Sequence, residues 1–148
     1  MKELYDYQKT GRDFLAARAR AYLGDGPGLG KTIQAAVAAK MVKPKNTLII
    51  APASAVPNWE REWGVWGPTC DLEIMSFEKT VSETKKKLWR YDLVVIDEVH
   101  YCKTRTAQRT KAALTLAKIA DRSWLLSGTP MPSHPGELWA PIYALWPG

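Results

Sequence analysis

The residues best suited to chemistry in this sequence lie in two short stretches. The first is Asp25-Gly26-Pro27-Gly28-Leu29-Gly30-Lys31-Thr32. Glycines let backbone N–H groups close around phosphate oxygens, and the start of a following helix adds its positive end. In such a cradle Gly28, Leu29 and Gly30 line the phosphates, Lys31 reaches the β- and γ-phosphates, and Thr32 holds Mg2+. Asp25 stands where the general phosphate-loop pattern has its first glycine, so taken alone the stretch is an incomplete match.

The second stretch is Leu93-Val94-Val95-Ile96-Asp97-Glu98-Val99-His100. Asp92 to Ile96 reads as a buried parallel strand, which delivers Asp97 and Glu98 to the sheet edge where ligands bind in α/β proteins. Adjacent carboxylates are costly there unless they face solvent or a cation. Beside a phosphate loop that cation is Mg2+, held by Asp97, while Glu98 orients and deprotonates an attacking water. Without the loop, the pair would be an ordinary strand exit. His100 follows closely enough to hydrogen-bond toward the γ-phosphate region, although a lone histidine is commonly structural.

A chain of 148 residues suits one domain, with 1–148 read as a single unit. No apolar run approaches the ~20 residues of a membrane span, and the N-terminus lacks a signal-peptide core, so the expected location is intracellular. Cys70 and Cys102 show no metal-ligand spacing and are read as packing residues. Lys and Arg number 21 against 15 Asp and Glu, a net charge of +6 that suits a polyanionic partner.

The elements that must position these residues follow in order. Arg12 to Arg20 reads as a short helix with Phe14, Leu15 and Ala17 or Ala21 inward, and Ala21 to Gly24 as a strand feeding the loop. Gln8, ahead of that helix, carries an amide able to read an adenine edge, but the pattern alone favours a surface residue near a helix start. Lys31 to Met41 is the helix after the loop, and Thr47 to Ala51 a buried strand ending at Pro52, which completes β-α-β. Asn58 reads as a helix cap, with Trp59, Trp63 and Trp66 along one face. Such a stripe can stack bases, yet at this spacing it is read as core. Leu72 to Phe77 is a weaker strand, and Lys85-Lys86-Lys87 a solvated helix face. Thr104 to Ile119 reads as a helix with Ala107, Thr110, Leu114 and Ala117 on one face and Arg105 and Arg109 on another. Ser123 to Leu126 is a further buried strand, followed by the turn Ser127-Gly128-Thr129-Pro130 and a closing helix from Glu137 to Trp146. The expected fold is α/β, a mostly parallel sheet with helices on both faces.

In this order the segments resemble the first motor lobe of the Swi/Snf-type branch of superfamily 2 helicase-like ATPases. Tyr5 to Gln8 is similar to that family's adenine-reading segment, Asp25 to Thr32 to motif I, Leu48 to Trp59 to motif Ia, and Ile74 to Phe77 to motif Ib. Asp97 to His100 resembles the DEAH-type motif II, and Leu126 to Pro130 motif III. The resemblance implies a RecA-like P-loop fold and an ATPase that tracks duplex DNA. It also implies roles for particular residues: Gln8 on adenine, Gly28, Gly30, Lys31 and Thr32 on phosphates and Mg2+, Asp97 on Mg2+, Glu98 as catalytic base, and Ser127 and Thr129 in coupling hydrolysis to lobe movement. DNA-backbone contacts would come from Pro52, Ala53, Ser54, Asn58, Ser76, and Lys103 or Arg105. The cellular location implied is cytoplasmic for a bacterial or phage protein and nuclear for a eukaryotic one. Two alternatives stand beside this reading: a nucleotide-dependent binding module that never turns over, and an RNA-remodelling lobe. Ser-Gly-Thr-Pro looks less like the Ser-Ala-Thr usual in RNA helicases.

The chain departs from the family at Gly26 and Pro27, where Glu-Met is usual, and at Val99, where motif II usually has Ala. The short segment between motifs Ia and II is similar in compactness to bacterial, phage or annealing-helicase members. No second-lobe Gln-x-x-Gly-Arg-x-x-Arg pattern occurs in these residues. Arginine fingers contribute about 10³ to 10⁵ in rate to related enzymes. The chain by itself is therefore expected to bind nucleotide weakly and hydrolyse it very slowly, and a measured turnover near ~1 per second would overturn that expectation.

Overall fold

Branched apolar runs form the strands of one parallel sheet, and the helices between them cover both of its faces. The computed structural model describes residues 3–23, 30–86, 89–98 and 108–126. Five strands, β1 (Arg20–Leu23), β2 (Asn46–Ala51), β3 (Asp71–Ser76), β4 (Leu93–Ile96) and β5 (Arg122–Leu126), lie in the order β1-β5-β4-β2-β3. Every described pairing is parallel, so all five strands end at one rim. The expected α/β fold with a parallel sheet is the one observed.

Alternation along the strands sorts the core into two layers. Ile49 and Ala51, Leu93 and Val95, and Trp124 and Leu126 face one side, with α1 (Asp6–Ala16), α2 (Lys31–Val42) and α3 (Val56–Trp66). Leu48 and Ile50, Val94 and Ile96, and Leu125 face the other, with α4 (Phe77–Lys86) and α5 (Gln108–Ile119). Helix α2 is apolar around much of its circumference because it is wedged between neighbours. Ala35, Ala36, Ala38 and Ala39 are fully buried, and their small side chains permit that close approach. Gly11 does the same for α1: a Cβ there would lie 1.7 Å from Gln34 Oε1 on α2.

Several boundaries and faces differ from expectation. Helix α1 begins at Asp6, not Arg12, because the Gln8 side chain turns back to accept from Tyr5 N at 2.9 Å and closes the first turn. Gly11 does not break it, and Arg20, expected in the helix, opens β1. Asn58 is not the cap of α3: that helix starts at Val56 behind Ala55, with Pro57 in a first turn that has no need of its missing N–H. Asn58 Oδ1 instead accepts from Arg61 Nη2 at 2.6 Å. Phe77 belongs to α4 and not to β3. On α5 the sheet-facing set is Ala113, Leu116 and Ala117, continued by Ala120 just past its end, so of the predicted face Ala117 is buried and Leu114 only partly so. Ala107, Arg105 and the segment after Leu126 lie outside the described residues. Lys85 and Lys86 are exposed as expected.

The rim opposite the strand ends is tied by Arg20. Its Nη1 donates to Ala117 O at 3.0 Å and Ser123 Oγ at 2.6 Å, and its Nη2 to Lys118 O at 3.1 Å and Ala120 O at 2.8 Å. These are the carbonyls that the last turn of α5 leaves without helical donors. Burial outweighs the nearby Asp121 carboxylate and lowers the pKa of the guanidinium below its ordinary value. Arg20→Leu is expected to destabilise the fold by about 2 kcal/mol, read from urea midpoints, because those carbonyls lose a charged donor. Arg20→Lys should recover little of this, since one ammonium cannot span the fork. A loss under about 0.5 kcal/mol would mean that water replaces the guanidinium without cost.

Candidate active site

Three of the expected residues enter from different elements at the strand-end rim. Between β1 and α2 the described backbone resumes at Gly30, whose φ of 71° lies in the left-handed region. A Cβ at Gly30 would also fall 2.5 Å from Gln8 Nε2, so glycine alone suits the position. Lys31 opens α2 and is only 8% exposed, with Thr32 half-buried beside it. Gly28 and Leu29 lie outside the described residues.

Asp97 leaves the end of β4, where its N–H donates to Ile50 O at 2.8 Å and extends the ladder with β2 by one residue. It is 8% exposed. Its Oδ2 accepts from Trp59 Nε1 at 2.8 Å, and Trp59 is fully buried. Burial raises the Asp97 pKa above its ordinary value, and the negative charge of Glu98 pushes the same way. The Trp59 hydrogen bond, the Glu98 backbone N–H and the positive charge of Lys31 pull it down, without cancelling the burial. Lys31 therefore stands close enough to Asp97 for its charge to be felt. Glu98 follows with φ of 56°, a left-handed backbone that side-chain-bearing residues adopt at a cost of order 1 kcal/mol.

Gln8 is 6% exposed and lies against Gly30, which overturns its reading as a surface amide. Beside it a pocket of about 320 Å³ opens between α1 and the end of β1, lined by Tyr7, Thr10, Gly11, Phe14, Tyr22 and Leu23. That volume is at the lower end of ordinary small-molecule sites, which run about 300 to 1,000 Å³. Tyr5 and Tyr7 stack at 5.9 Å nearby.

Pro52 and the exposed pair Ala53 and Ser54 follow β2, and Asn58 lies one turn into α3. Ser76 ends β3, and its Oγ accepts from Lys79 N at 3.2 Å to start α4. All of these sit at or past strand ends on the rim that carries Asp97. His100, Lys103, Arg105, Ser127 and Thr129 lie outside the described residues. The expectation that the tryptophan stripe is core holds for Trp59 and Trp63, while Trp66 is partly buried. Sequence reasoning missed the bond from Trp59 to Asp97. A fully buried indole N–H needs an acceptor, and that was the available signal, but it does not name which one.

Phosphate oxygens suit the backbone and ammonium donors at Gly30 and Lys31, and a hard divalent cation suits the Thr32 hydroxyl with the Asp97 carboxylate. Comparison with known proteins identifies the family. The family model described as SNF2-related domain matches residues 7–92 and 69–148. A Bos taurus SWI/SNF-related matrix-associated actin-dependent regulator of chromatin subfamily A-like protein 1 is 34% identical over 167 residues, covering 99% of this chain and 18% of the relative. The Mus musculus DNA annealing helicase and endonuclease ZRANB3 is 31% identical, with 98% of this chain and 16% of the relative covered. The chain thus spans less than a fifth of these relatives. The Sulfolobus solfataricus SWI2/SNF2 ATPase core in complex with dsDNA superposes with a TM-score of 0.88 at 24% identity, covering 99% of this chain and 36% of that one. The expected RecA-like fold is therefore the one adopted.

The raised Asp97 pKa carries a stability consequence with a definite sign. The folded chain holds this proton more tightly than the unfolded chain, so stability falls as pH rises from the ordinary value of 3.8 through the folded value. Above that window the ionised, buried carboxylate is a standing cost. In EDTA at neutral pH, Asp97→Asn should melt above wild type, because the neutral amide avoids the cost of ionising a buried carboxylate. Its amide oxygen can still accept from Trp59, and its advantage should vanish once wild type is protonated near pH 3.8. A variant melting at or below wild type at neutral pH would contradict the sign.

Proposed function

The chain belongs to the SNF2-related domain family, and on that premise we propose that it is the first lobe of an ATP-driven motor acting on duplex DNA. The observation that carries the reading is that Lys31, opening α2, and Asp97, just past the end of β4, are both buried at the strand-end rim, although β5 separates β1 from β4 in the sheet. One rim then gathers a phosphate-binding ammonium, a metal-binding carboxylate and a base. Adenine enters the pocket lined by Tyr7, Thr10 and Tyr22, and the Gln8 amide, packed against Gly30, reads its edge. Backbone N–H groups from Gly28 to Lys31 and the Lys31 ammonium hold the phosphates, and the role assigned to His100 is a hydrogen bond to the γ-phosphate.

Thr32 and Asp97 hold Mg2+, which when bound neutralises phosphate charge. Glu98 accepts the proton of the attacking water as the water oxygen bonds to the γ-phosphorus and the bond from that phosphorus to the β–γ bridging oxygen breaks, giving ADP and inorganic phosphate. A second RecA-like lobe supplies the arginines that complete the cleft, so turnover requires it. Ser127 and Thr129 link hydrolysis to the relative movement of the lobes. Pro52, Ala53, Ser54, Asn58, Ser76, Lys103 and Arg105 form the backbone-binding side, and the net charge of +6 supports a polyanionic track. The setting is the compartment that holds the DNA.

The test is ATP turnover by this lobe joined to a second one, with duplex DNA, single-stranded DNA or RNA added. Duplex DNA should stimulate most, and Lys31→Ala or Glu98→Gln should each lower the rate about 100-fold or more. Glu98→Gln should keep its nucleotide affinity, because it removes a base and not a phosphate contact. Stimulation by RNA in preference to duplex DNA would move the chain to the RNA-remodelling class. Turnover indifferent to Lys31→Ala would remove the proposed site altogether.

A further inference from the structure

We propose that Trp59 is a positioning residue for the metal-binding carboxylate: its indole N–H, reaching across from α3, holds Asp97 in the orientation that receives Mg2+. This rests on the reading of Asp97 as a Mg2+ ligand. The bond is short, at 2.8 Å, and joins a fully buried indole to a carboxylate 8% exposed, so water does not compete for either partner. An indole is rigid beyond two torsions. Trp63, one turn later, is 4% exposed and donates its own Nε1 to Pro68 O at 3.2 Å, and both tryptophans pack with Ile49, Ala51 and Val95.

Asp97 is pinned from the other side by its backbone bond to Ile50 and by the Glu98 N–H. A carboxylate with its backbone held and one oxygen engaged has little rotational freedom left. It still has capacity for a cation, because two carboxylate oxygens offer about four lone-pair sites. Partners that orient a metal ligand in this way typically change metal affinity by about 10- to 100-fold when removed. Helical spacing accounts for the burial of Trp59 but not for this aim: Trp63, on the same stripe, satisfies its indole within its own helix and the following turn.

The experiment replaces Trp59 in the 148-residue chain with β-(3-benzothienyl)alanine, which keeps the ring shape and removes only the N–H. Trp59→Phe is run as a second variant and Asp97→Asn as a control, with melting curves confirming folding. Affinity for a fluorescent ADP is measured in EDTA and in Mg2+, with no turnover needed. The benzothienyl chain should lose about 10-fold of the Mg2+-dependent gain in affinity while its EDTA affinity matches wild type. An unchanged Mg2+ gain, with Asp97→Asn abolishing it, would overturn the role of Trp59 and leave the proposed function standing. Equal losses with and without Mg2+ would assign Trp59 to packing alone and also overturn it. A Mg2+ gain that survives Asp97→Asn would remove the ligand reading and this inference together.

Discussion

A sheet whose described strands all run one way ends them together, and this constraint governs the rest of the molecule. Parallel pairing needs a crossover between successive strands, and the crossovers here are helices that fold back over one face or the other. The chemistry-bearing residues sit just past strand ends, so they collect on one rim without any one of them being chosen for its neighbours. Gly30 and Lys31 follow β1, Ser54 and Asn58 follow β2, Ser76 ends β3, and Asp97 and Glu98 follow β4. The opposite rim is left to structural ties such as the Arg20 fork, and to Asp92, whose Oδ2 accepts from Lys45 N at 2.7 Å while its own N–H donates to Asn46 Oδ1.

The two helical layers do different work. The α4 and α5 side is closed by Phe77, Leu116 and the alanines of α5 against Leu48, Ile50, Val94 and Ile96. The α1 to α3 side is built on closer approaches: a glycine of α1 against Gln34, four buried alanines on α2, and two tryptophans on α3. Among the described residues, it is this second layer that reaches the site. It delivers Gln8 to Gly30 and the Trp59 indole to Asp97, so packing on that face and geometry at the rim are one problem.

Asp97 is where stability and chemistry pull apart. Its burial opposes ionisation, whereas metal binding needs the charge. The fold answers with an indole N–H, a backbone N–H and a nearby ammonium, which together reduce but do not cancel the cost of losing water. The left-handed backbone of Glu98 is a second local cost beside it. Costs concentrated on consecutive residues at a strand end are what a site kept for function looks like, since a sequence selected for stability alone would place neither there.

The sequence by itself determined the pieces. Branched runs identified β2, β4 and β5, the Gly-x-Gly-Lys-Thr stretch and the Asp97-Glu98 pair marked the candidate site, and their order identified the parallel α/β class. Each of these is a local property, carried by periodicity, backbone freedom or charge within a few consecutive residues. Tertiary structure decided what those properties cannot encode: that β5 lies between β1 and β4, that α1 starts early enough to bury Gln8 against Gly30, which side of α5 meets the sheet, and that Trp59 is aimed at Asp97. The partners in that last contact are 38 residues apart. A side chain's period records that it will be buried, but the identity of its acceptor depends on how separate elements pack, and that is fixed only when the whole sheet and both helical layers are in place.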